Sequence, residues 1–154
     1  MKAIRRTRNR ARRGFTLLEV LLVLAIIGVI AALAVPQLLG RQQDAMIDAT
    51  KLKIKGFEDA LKYYAAAHDG RYPTEGTSEA VVGELMNPKP LQNGRQPQPY
   101  LEEIPVDAWG VPLNYENPPS GNRQTAGNKP AVWSNGPDGQ EGTDDDIGNW
   151  LQNL

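Results

Sequence analysis

The sequence predicts an α+β protein in which one long N-terminal helix, about residues 15–68, packs on a small antiparallel sheet of about three short strands. Two observations lead to this prediction. Apolar residues recur at helical spacing through the first half of the chain. In the second half proline is frequent, since all of the 12 prolines except Pro36 follow Tyr72. Proline interrupts helices, so the second half cannot be mainly helical.

The predicted helix opens with the only strongly apolar run of the chain, from Phe15 to Val35, in which Glu19 is the one charged residue. A helix of about 20 apolar residues spans the ~30 Å hydrocarbon core of a bilayer. We therefore expect a transmembrane segment at residues 15–35, preceded by a leader at 1–14 whose charged residues are all basic. Under the positive-inside rule the leader marks the cytoplasmic side, which leaves residues 36–154 as a head on the far side.

Glu19 requires a partner, because a carboxylate in lipid costs up to about 2.5–3.5 kcal/mol at the membrane centre. A small residue, Gly14, precedes the apolar run instead of following it, so cleavage there would keep the helix and free the amine of Phe15. The first and fifth positions of a helix share one face. The amine can therefore neutralise Glu19 in the same chain or in a staggered neighbour. A plain anchor with Glu19 near the headgroups is the remaining alternative.

The start of this helix resembles the type IV prepilin signature, with the run Gly14-Phe15-Thr16-Leu17-Leu18-Glu19 followed by apolar residues. The resemblance implies that a prepilin peptidase cleaves between Gly14 and Phe15 and methylates the Phe15 amine. It also implies that Glu19 pairs with the Phe15 amine of an adjacent subunit during assembly. Pro36 matches the helix-interrupting proline of that family, and we expect a kink there because its ring clashes with the preceding turn.

Beyond Pro36 the helix is predicted to be amphipathic and to end near His68, where Asp69-Gly70 supplies a stop signal. Its apolar positions recur at intervals of three, four and seven residues. We expect the following side chains to face a compact head: Ile47, Ile54, Phe57, Leu61, Tyr64 and His68.

The second half contains one further helix and three strands by sequence pattern. The helix is predicted at Ser78 to Met86, with Thr77 or Ser78 as its cap, and a proline-rich loop follows it. The strands are predicted at Val111–Glu116, Ala131–Ser134 and Ile147–Leu151. The spaced aromatic residues favour a core over a stacking platform for sugars or bases: Tyr100, Trp109, Tyr115, Trp133 and Trp150.

Composition narrows the functional classes. There is no cysteine, which excludes disulfides and cysteine-ligated metal sites, and the one histidine excludes multi-histidine sites. No nucleophile–base pair is apparent, so we do not expect an enzyme. All 18 acidic residues follow the leader, and the acidic chain left after its removal makes nucleic acid an unsuitable partner.

The second feature with chemical meaning is an acidic turn between the last two predicted strands, residues 135–146. Five of its side chains are carboxylates: Asp138, Glu141, Asp144, Asp145 and Asp146. Oxygen ligands on a flexible loop suit Ca²⁺, which takes six to eight of them. The spacing does not match an EF-hand, and a solvated acidic turn is the alternative interpretation.

This turn and the segments 71–74 and 107–115 resemble the type II secretion major pseudopilins, the general secretion pathway protein G family. The resemblance implies a type IV pilin-like fold with a C-terminal calcium loop. It implies side-chain ligands from Asp138, Asp145 and Asp146, the backbone carbonyl of Asn135, and further oxygens from Gln140 and Thr143.

The implied function is that of a structural subunit. Such a chain polymerises into a periplasmic pseudopilus and helps to export folded proteins across the outer membrane, while its anchor lies in the inner membrane. The implied partners are further copies of itself, minor pseudopilins, the prepilin peptidase and the inner-membrane assembly platform. Two other functions remain open from the residues: a type IV or competence pilin forming a surface filament, and a membrane-tethered binding module stabilised by calcium.

Overall fold

The computed structural model describes residues 14–74, 76–91 and 94–150. Two helices and three strands make up its regular structure, with a short 3₁₀ turn at Ala126–Asn128. In chain order these elements are α1 at Leu17–Ala67, α2 at Ser78–Met86, β1 at Asn114–Glu116, β2 at Ala131–Ser134 and β3 at Ile147–Gly148. The chain divides after Arg41 into two compact units, which are considered separately.

Helix α1 confirms the predicted long helix, although it begins two residues later than expected, at Leu17. Helical structure continues through Pro36, and the predicted kink at this proline stays a prediction. The helix stops where the sequence indicated. Asp69 adopts a left-handed φ of 55°, and the N–H of Gly70 donates to the carbonyl of Ala65 at 2.8 Å. Such a bond satisfies a carbonyl that the last turn leaves without a helical partner.

Helix α2 has the predicted bounds, and Thr77 is its cap. The Thr77 hydroxyl accepts from the backbone N–H of Ala80 at 3.2 Å, which supplies an acceptor to one of the first-turn amides. Its buried side chains, Val81, Val82 and Leu85, lie three to four positions apart and so share one face.

The three strands form one antiparallel sheet in the order β1-β2-β3. Tyr115 of β1 lies opposite Val132 of β2, and Ser134 of β2 lies opposite Ile147 of β3. Strand β2 is central and is buried at all four positions. Because β3 follows β2 through residues 135–146, the sheet brings the two ends of the acidic turn together.

Two strand predictions were too long. Residues 111–113 were predicted to belong to β1 but lie before it. They follow the turn at Asp107, and there the chain forms only an isolated bridge, between Val106 and Pro112. Proline has no N–H with which to extend a ladder. Strand β3 ends at Gly148, where the ring of Trp150 lies against the glycine and occupies the space of a β-carbon. The predicted end at Leu151 lies outside the described residues.

The core of the second unit lies between the C-terminal part of α1, helix α2 and the sheet. The predicted apolar stripe of α1 is confirmed as the side that faces the core, since Ile54, Phe57, Leu61 and Tyr64 are buried. Ile47 and His68, at the two ends of the stripe, are partly buried. Burying each such side chain contributes roughly 1.5–3 kcal/mol. The other members of this core are Val81, Val82, Leu85, Leu113, Tyr115, Val132 and Ile147.

The five spaced aromatic residues are core residues, as predicted. Tyr115, Trp133 and Trp150 are buried, and Tyr100 and Trp109 are partly buried against the main core. Trp133 and Trp150 form a smaller cluster with edge-to-face rings whose centroids are 6.4 Å apart. This cluster lies beside the acidic turn, since Trp133 belongs to β2 and Trp150 follows β3.

Candidate functional site

The first candidate site is the start of α1, where Thr16 and Glu19 form a reciprocal cap. The backbone N–H of Thr16 donates to Glu19 Oε2 at 3.0 Å, and the backbone N–H of Glu19 donates to Thr16 Oγ1 at 3.2 Å. The Thr16 hydroxyl also donates to Glu19 Oε2, at 3.2 Å. This is a capping box, which supplies acceptors to amides that the first turn leaves without helical partners.

The capping box was missed at the level of sequence, where Glu19 was considered as a partner for an amine or as a residue near the headgroups. The signal was present, because threonine followed three residues later by glutamate ahead of an apolar run predicts such a cap. In the uncleaved chain the nitrogen of Phe15 is an amide joined to Gly14. The amine–Glu19 pair therefore belongs to the processed form and stays a prediction, as do cleavage and methylation.

The apolar segment around this cap is exposed at every position. Every residue from Phe15 to Val35 is exposed, with Phe15 at 84% and Leu33 at 70%. Among the described residues α1 is the one helix long and apolar enough to cross a membrane. A continuous apolar surface of this size requires lipid or other apolar helices around it.

The second candidate site is the acidic turn, in which four of the predicted ligand residues meet around one hydroxyl. Thr143 Oγ1 lies 3.1 Å from the backbone oxygen of Gln140 and 3.5 Å from Asp138 Oδ1. It also contacts Asp145 Oδ1, at 2.5 Å. One hydroxyl carries a single proton, so it cannot donate to all three acceptors. The backbone N–H of Gln140 also donates to Asp138 Oδ1, at 2.7 Å, so two donated protons serve three acceptor oxygens here.

The two neighbouring carboxylates Asp145 and Asp146 have different environments. The hydrogen bond from the Thr143 hydroxyl lowers the pKa of Asp145, and the backbone N–H of Asp138 adds to that effect through a 3.1 Å bond to Asp145 Oδ2. Burial raises the pKa of Asp146, against a 2.9 Å hydrogen bond that its Oδ2 accepts from the N–H of Gly142.

The remaining predicted ligands are placed less directly. The side-chain oxygen of Asn135 accepts from Asn114 Nδ2 at 2.9 Å and so already has a partner. The group that the resemblance assigned to the metal is the backbone carbonyl of Asn135. Across the described ranges no three His, Cys, Asp or Glu side chains form a group arranged to hold an ion. Asp146 therefore does not join Asp138 and Asp145 in a three-carboxylate cluster.

The donor types nevertheless fit calcium. Two carboxylates, a hydroxyl and a carbonyl meet at Thr143, and Ca²⁺ accepts such mixed oxygen sets in flexible geometry. Zinc and copper prefer nitrogen or sulfur ligands, and none is present among these four groups.

Arg123 is a functional neighbour that the sequence did not reveal. Its Nη2 lies 2.6 Å from Glu141 Oε1 and its Nη1 lies 3.9 Å from Glu116 Oε2. The guanidinium also lies over the ring of Trp133, 4.1 Å from the centroid. This arrangement joins the acidic turn to β1 and β2, and the guanidinium offsets part of the turn's negative charge.

Comparison with known families identifies the chain. Residues 37–150 match the profile of the type II secretion system protein G family, and residues 9–35 match the prokaryotic N-terminal methylation motif. The chain belongs to the type II secretion system protein G family.

Individual relatives agree with this family. The chain is 38% identical over 144 residues to the type II secretion system core protein G of Vibrio cholerae, covering 92% of this chain and 93% of the relative. It is 36% identical over 141 residues to the core protein G of Pectobacterium carotovorum, covering 90% of this chain and 85% of the relative.

A solved structure agrees as well. The crystal structure of the major pseudopilin from the type 2 secretion system of enterohaemorrhagic Escherichia coli matches with a TM-score of 0.56 and 28% identity, covering 76% of this chain and 92% of that one. The predicted α+β fold of a pilin-like protein is confirmed.

Membership in the protein G family makes the chain a pseudopilin, a subunit of the type II secretion pseudopilus. This confirms the function that the sequence implied, and it favours neither a surface pilin nor a tethered binding module. The family is a structural component of the secretion machinery, which points to a non-enzymatic role. The methylation motif spans Gly14, Phe15 and Glu19 together with the apolar run, as expected for a membrane-anchored member.

Proposed function

We propose that the chain is cleaved after Gly14 and polymerises through residues 15–35 into a helical filament. In that filament the freed and methylated amine of Phe15 pairs with Glu19 of a neighbouring subunit. The observation that carries the proposal is the exposed apolar surface of α1, which begins at a single exposed carboxylate.

The apolar surface accounts for both states of the subunit. Lipid covers residues 15–35 before assembly, and the same segments of neighbouring subunits cover it afterwards. Contacts between two different faces, repeated about an axis that does not close, generate a filament and not a ring.

Glu19 supplies the register of that filament. The contacts from Thr16 use Glu19 Oε2, and a carboxylate has a second oxygen with which to accept a bond from an ammonium group. In an apolar surrounding a charged pair is strongly favoured over either charge alone. Subunits therefore stack at the stagger that brings each amine to a carboxylate.

The wider role follows from this assembly. The head faces the periplasm, with the anchor in the inner membrane, and subunit addition at the membrane lengthens the filament and moves folded proteins outward. The partners are a prepilin peptidase, the inner-membrane assembly platform and minor pseudopilins. Nucleic acid has no role, because the processed chain is acidic.

The test is substitution of Glu19, with leader removal measured by intact mass and filaments counted by electron microscopy. Glu19→Ala is expected to lose the leader and to form no filaments. The matched control is Asp48→Ala, which removes an exposed acid of the same helix whose contact with Lys51 is long, at 3.9 Å. Normal filaments from the Glu19 variant would refute the pairing.

A second substitution separates capping from pairing. Thr16→Ala removes the side-chain partner in the capping box and leaves the Glu19 carboxylate in place. Loss of a cap typically costs about 1 kcal/mol, so we expect the variant to weaken helix initiation but to retain assembly. Equal loss of filaments in both variants would assign Glu19 to capping alone.

We further propose that the acidic turn binds one structural Ca²⁺. Asp138, Asp145, the Thr143 hydroxyl and the Gln140 carbonyl would hold it, with the Asn135 carbonyl as a further ligand. Asp146 would complete the set only by moving towards the other two carboxylates when the ion binds. In support, three acceptor oxygens around Thr143 share two donated protons, one from its hydroxyl and one from the N–H of Gln140. A bound cation would stabilise the turn that joins β2 to β3, and with it the end of the sheet.

The calcium role is tested by melting the purified mature chain in detergent with calcium and with chelator. Binding at 100 times the dissociation constant stabilises by about 2.7 kcal/mol, which corresponds to a rise of several degrees. Asp138→Asn is expected to reduce this rise, whereas Asp144→Asn, at an exposed neighbour, is expected to preserve it. A melting temperature indifferent to calcium would reduce the site to a solvated turn.

A further inference from the structure

Asp107, a buried carboxylate outside the acidic turn, organises the first residues of that turn. Asp107 is 5% exposed, and its two oxygens accept three hydrogen bonds. Oδ1 accepts from the backbone N–H groups of Trp109 at 2.9 Å and Val111 at 2.8 Å. Oδ2 accepts from the hydroxyl of Ser134 at 2.6 Å. A buried carboxylate is retained only where such donors replace water.

The bond from Ser134 determines how that residue meets the acidic turn. Since the Ser134 proton is donated to Asp107, the lone pairs of Oγ are left to accept, and the N–H of Gly136 donates to them at 3.1 Å. Both residues are buried. Asp107 thereby orients the hydroxyl that holds the first glycine of the turn.

Gly136 in turn lies against the far end of the turn. Its φ is 65°, and a β-carbon at this position would lie 2.2 Å from the backbone oxygen of Asp145. The two ends of the turn therefore touch through a contact that only glycine permits. The Gly136 N–H and the Asn135 carbonyl belong to one peptide group, so fixing the first also fixes the second. The close contact at Gly136 places this peptide beside Asp145, whose carboxylate meets Thr143.

The same loop is held to helix α1. The N–H of Ala108, next to Asp107, donates to Thr50 Oγ1 at 3.1 Å, and the Thr50 hydroxyl donates to the carbonyl of Met46 at 2.9 Å. Thr50 has no exposed surface. A continuous series of contacts thus runs from α1 through Asp107 and Ser134 to the acidic turn.

We propose that Asp107 is a positioning residue for the acidic turn, acting through Ser134 and Gly136, and that it connects the turn to helix α1. Asp107 holds the turn in the conformation that binds a cation, without contacting the cation itself. The effect on cation affinity rests on the calcium role proposed above, whereas the effect on the Gly136 amide does not.

The variants are Asp107→Asn and Ser134→Ala, with Tyr115→Phe as control. The asparagine keeps one oxygen for the two backbone donors but presents an NH₂ to Ser134, so the serine proton loses its acceptor. The alanine removes the hydroxyl altogether and serves if the first variant folds poorly. The control removes a buried hydrogen bond of 2.8 Å, from the Tyr115 hydroxyl to the Pro73 carbonyl, outside this series of contacts.

The first measurement is hydrogen exchange of the Gly136 amide in the calcium-free mature chain in detergent, with core amides of α1 around Phe57 as reference. Both variants are expected to speed Gly136 exchange on the order of tenfold relative to the reference. The control is expected to leave this ratio unchanged. A uniform change at all amides, or none at Gly136, would overturn the proposal.

The second measurement is the calcium dissociation constant by titration calorimetry with Ca²⁺ alone as probe. Weakening on the order of tenfold in Asp107→Asn, with no change in Tyr115→Phe, supports the role in preparing the site. Unchanged affinity in Asp107→Asn overturns that role. If the unaltered chain shows no calcium binding, the calcium proposal fails, and the Gly136 measurement still decides whether Asp107 positions the turn.

Discussion

Asn149, which directly follows β3, is expected to be one of the most sensitive polar positions of the head. Its side chain makes three hydrogen bonds: Oδ1 accepts from the N–H of Val132 at 3.0 Å, and Nδ2 donates to Glu58 Oε1 at 2.8 Å and to the carbonyl of Pro130 at 3.1 Å. One amide therefore joins the end of β3, the start of β2 and helix α1.

The expected magnitude follows from these contacts. A hydrogen bond contributes about 0.5–1.5 kcal/mol net, and one to a charged group about 1.5–3 kcal/mol. Asn149→Ala also leaves the buried N–H of Val132 without its side-chain acceptor. We expect the variant to lose about 2–4 kcal/mol of the free energy of unfolding, a large part of the ~5–15 kcal/mol of a typical domain.

The assay is urea unfolding of the purified chain, followed by tryptophan fluorescence. Asn122→Ala is the matched control, since Asn122 is exposed and should change stability by less than about 0.5 kcal/mol. Glu58→Ala should cost less than Asn149→Ala, and the two losses should not add, because they share one contact. A loss below about 1 kcal/mol for Asn149→Ala would refute this reasoning.

Further predictions concern backbone and charge. Gly136→Ala should destabilise the head strongly, because Gly136 has a left-handed φ and a β-carbon there would collide with the carbonyl of Asp145. Gly83→Ala, in the open middle of α2, should stabilise the head by about 0.5–1 kcal/mol. Both changes are measured as shifts of the urea unfolding midpoint. The hydrogen bond from Lys62 lowers the pKa of Asp59, so Lys62→Met should raise that pKa in an NMR titration. The stabilisation from this pair is present above the ordinary pKa of Asp59 and is lost as the pH falls through the lowered one; an unmoved titration would show that the pair does not form.

Much of the local structure could be read from the sequence because its signals are local. The period of the apolar residues predicted α1 and the side of it that is buried, and the pair Thr77 and Ser78 predicted where α2 begins. Strand β2 has the predicted bounds. The errors fell at strand ends, where Pro112 and the ring of Trp150 end the pairing. A pattern of apolar and polar residues along the chain does not show such packing.

The acidic turn shows the limit of local signals. Its richness in carboxylates is visible in the sequence, but the meeting of Asp138, Asp145 and the Gln140 carbonyl at Thr143 depends on how the turn closes. Likewise Glu58 lies four residues before Lys62 on the helix, but its Oε1 accepts from Asn149, 91 residues away.

By itself the sequence determined the anchor, the capped helices, the central strand and the family, since each depends on neighbouring residues or on a short run of letters. Only the tertiary structure decided which distant polar groups meet: Asp107 with Ser134, Arg123 with Glu141, and Asn149 with Glu58. The physical reason is that a hydrogen bond acts over about 3 Å, and separations of that size between remote residues are set by the packing of helix on sheet, which no local pattern encodes.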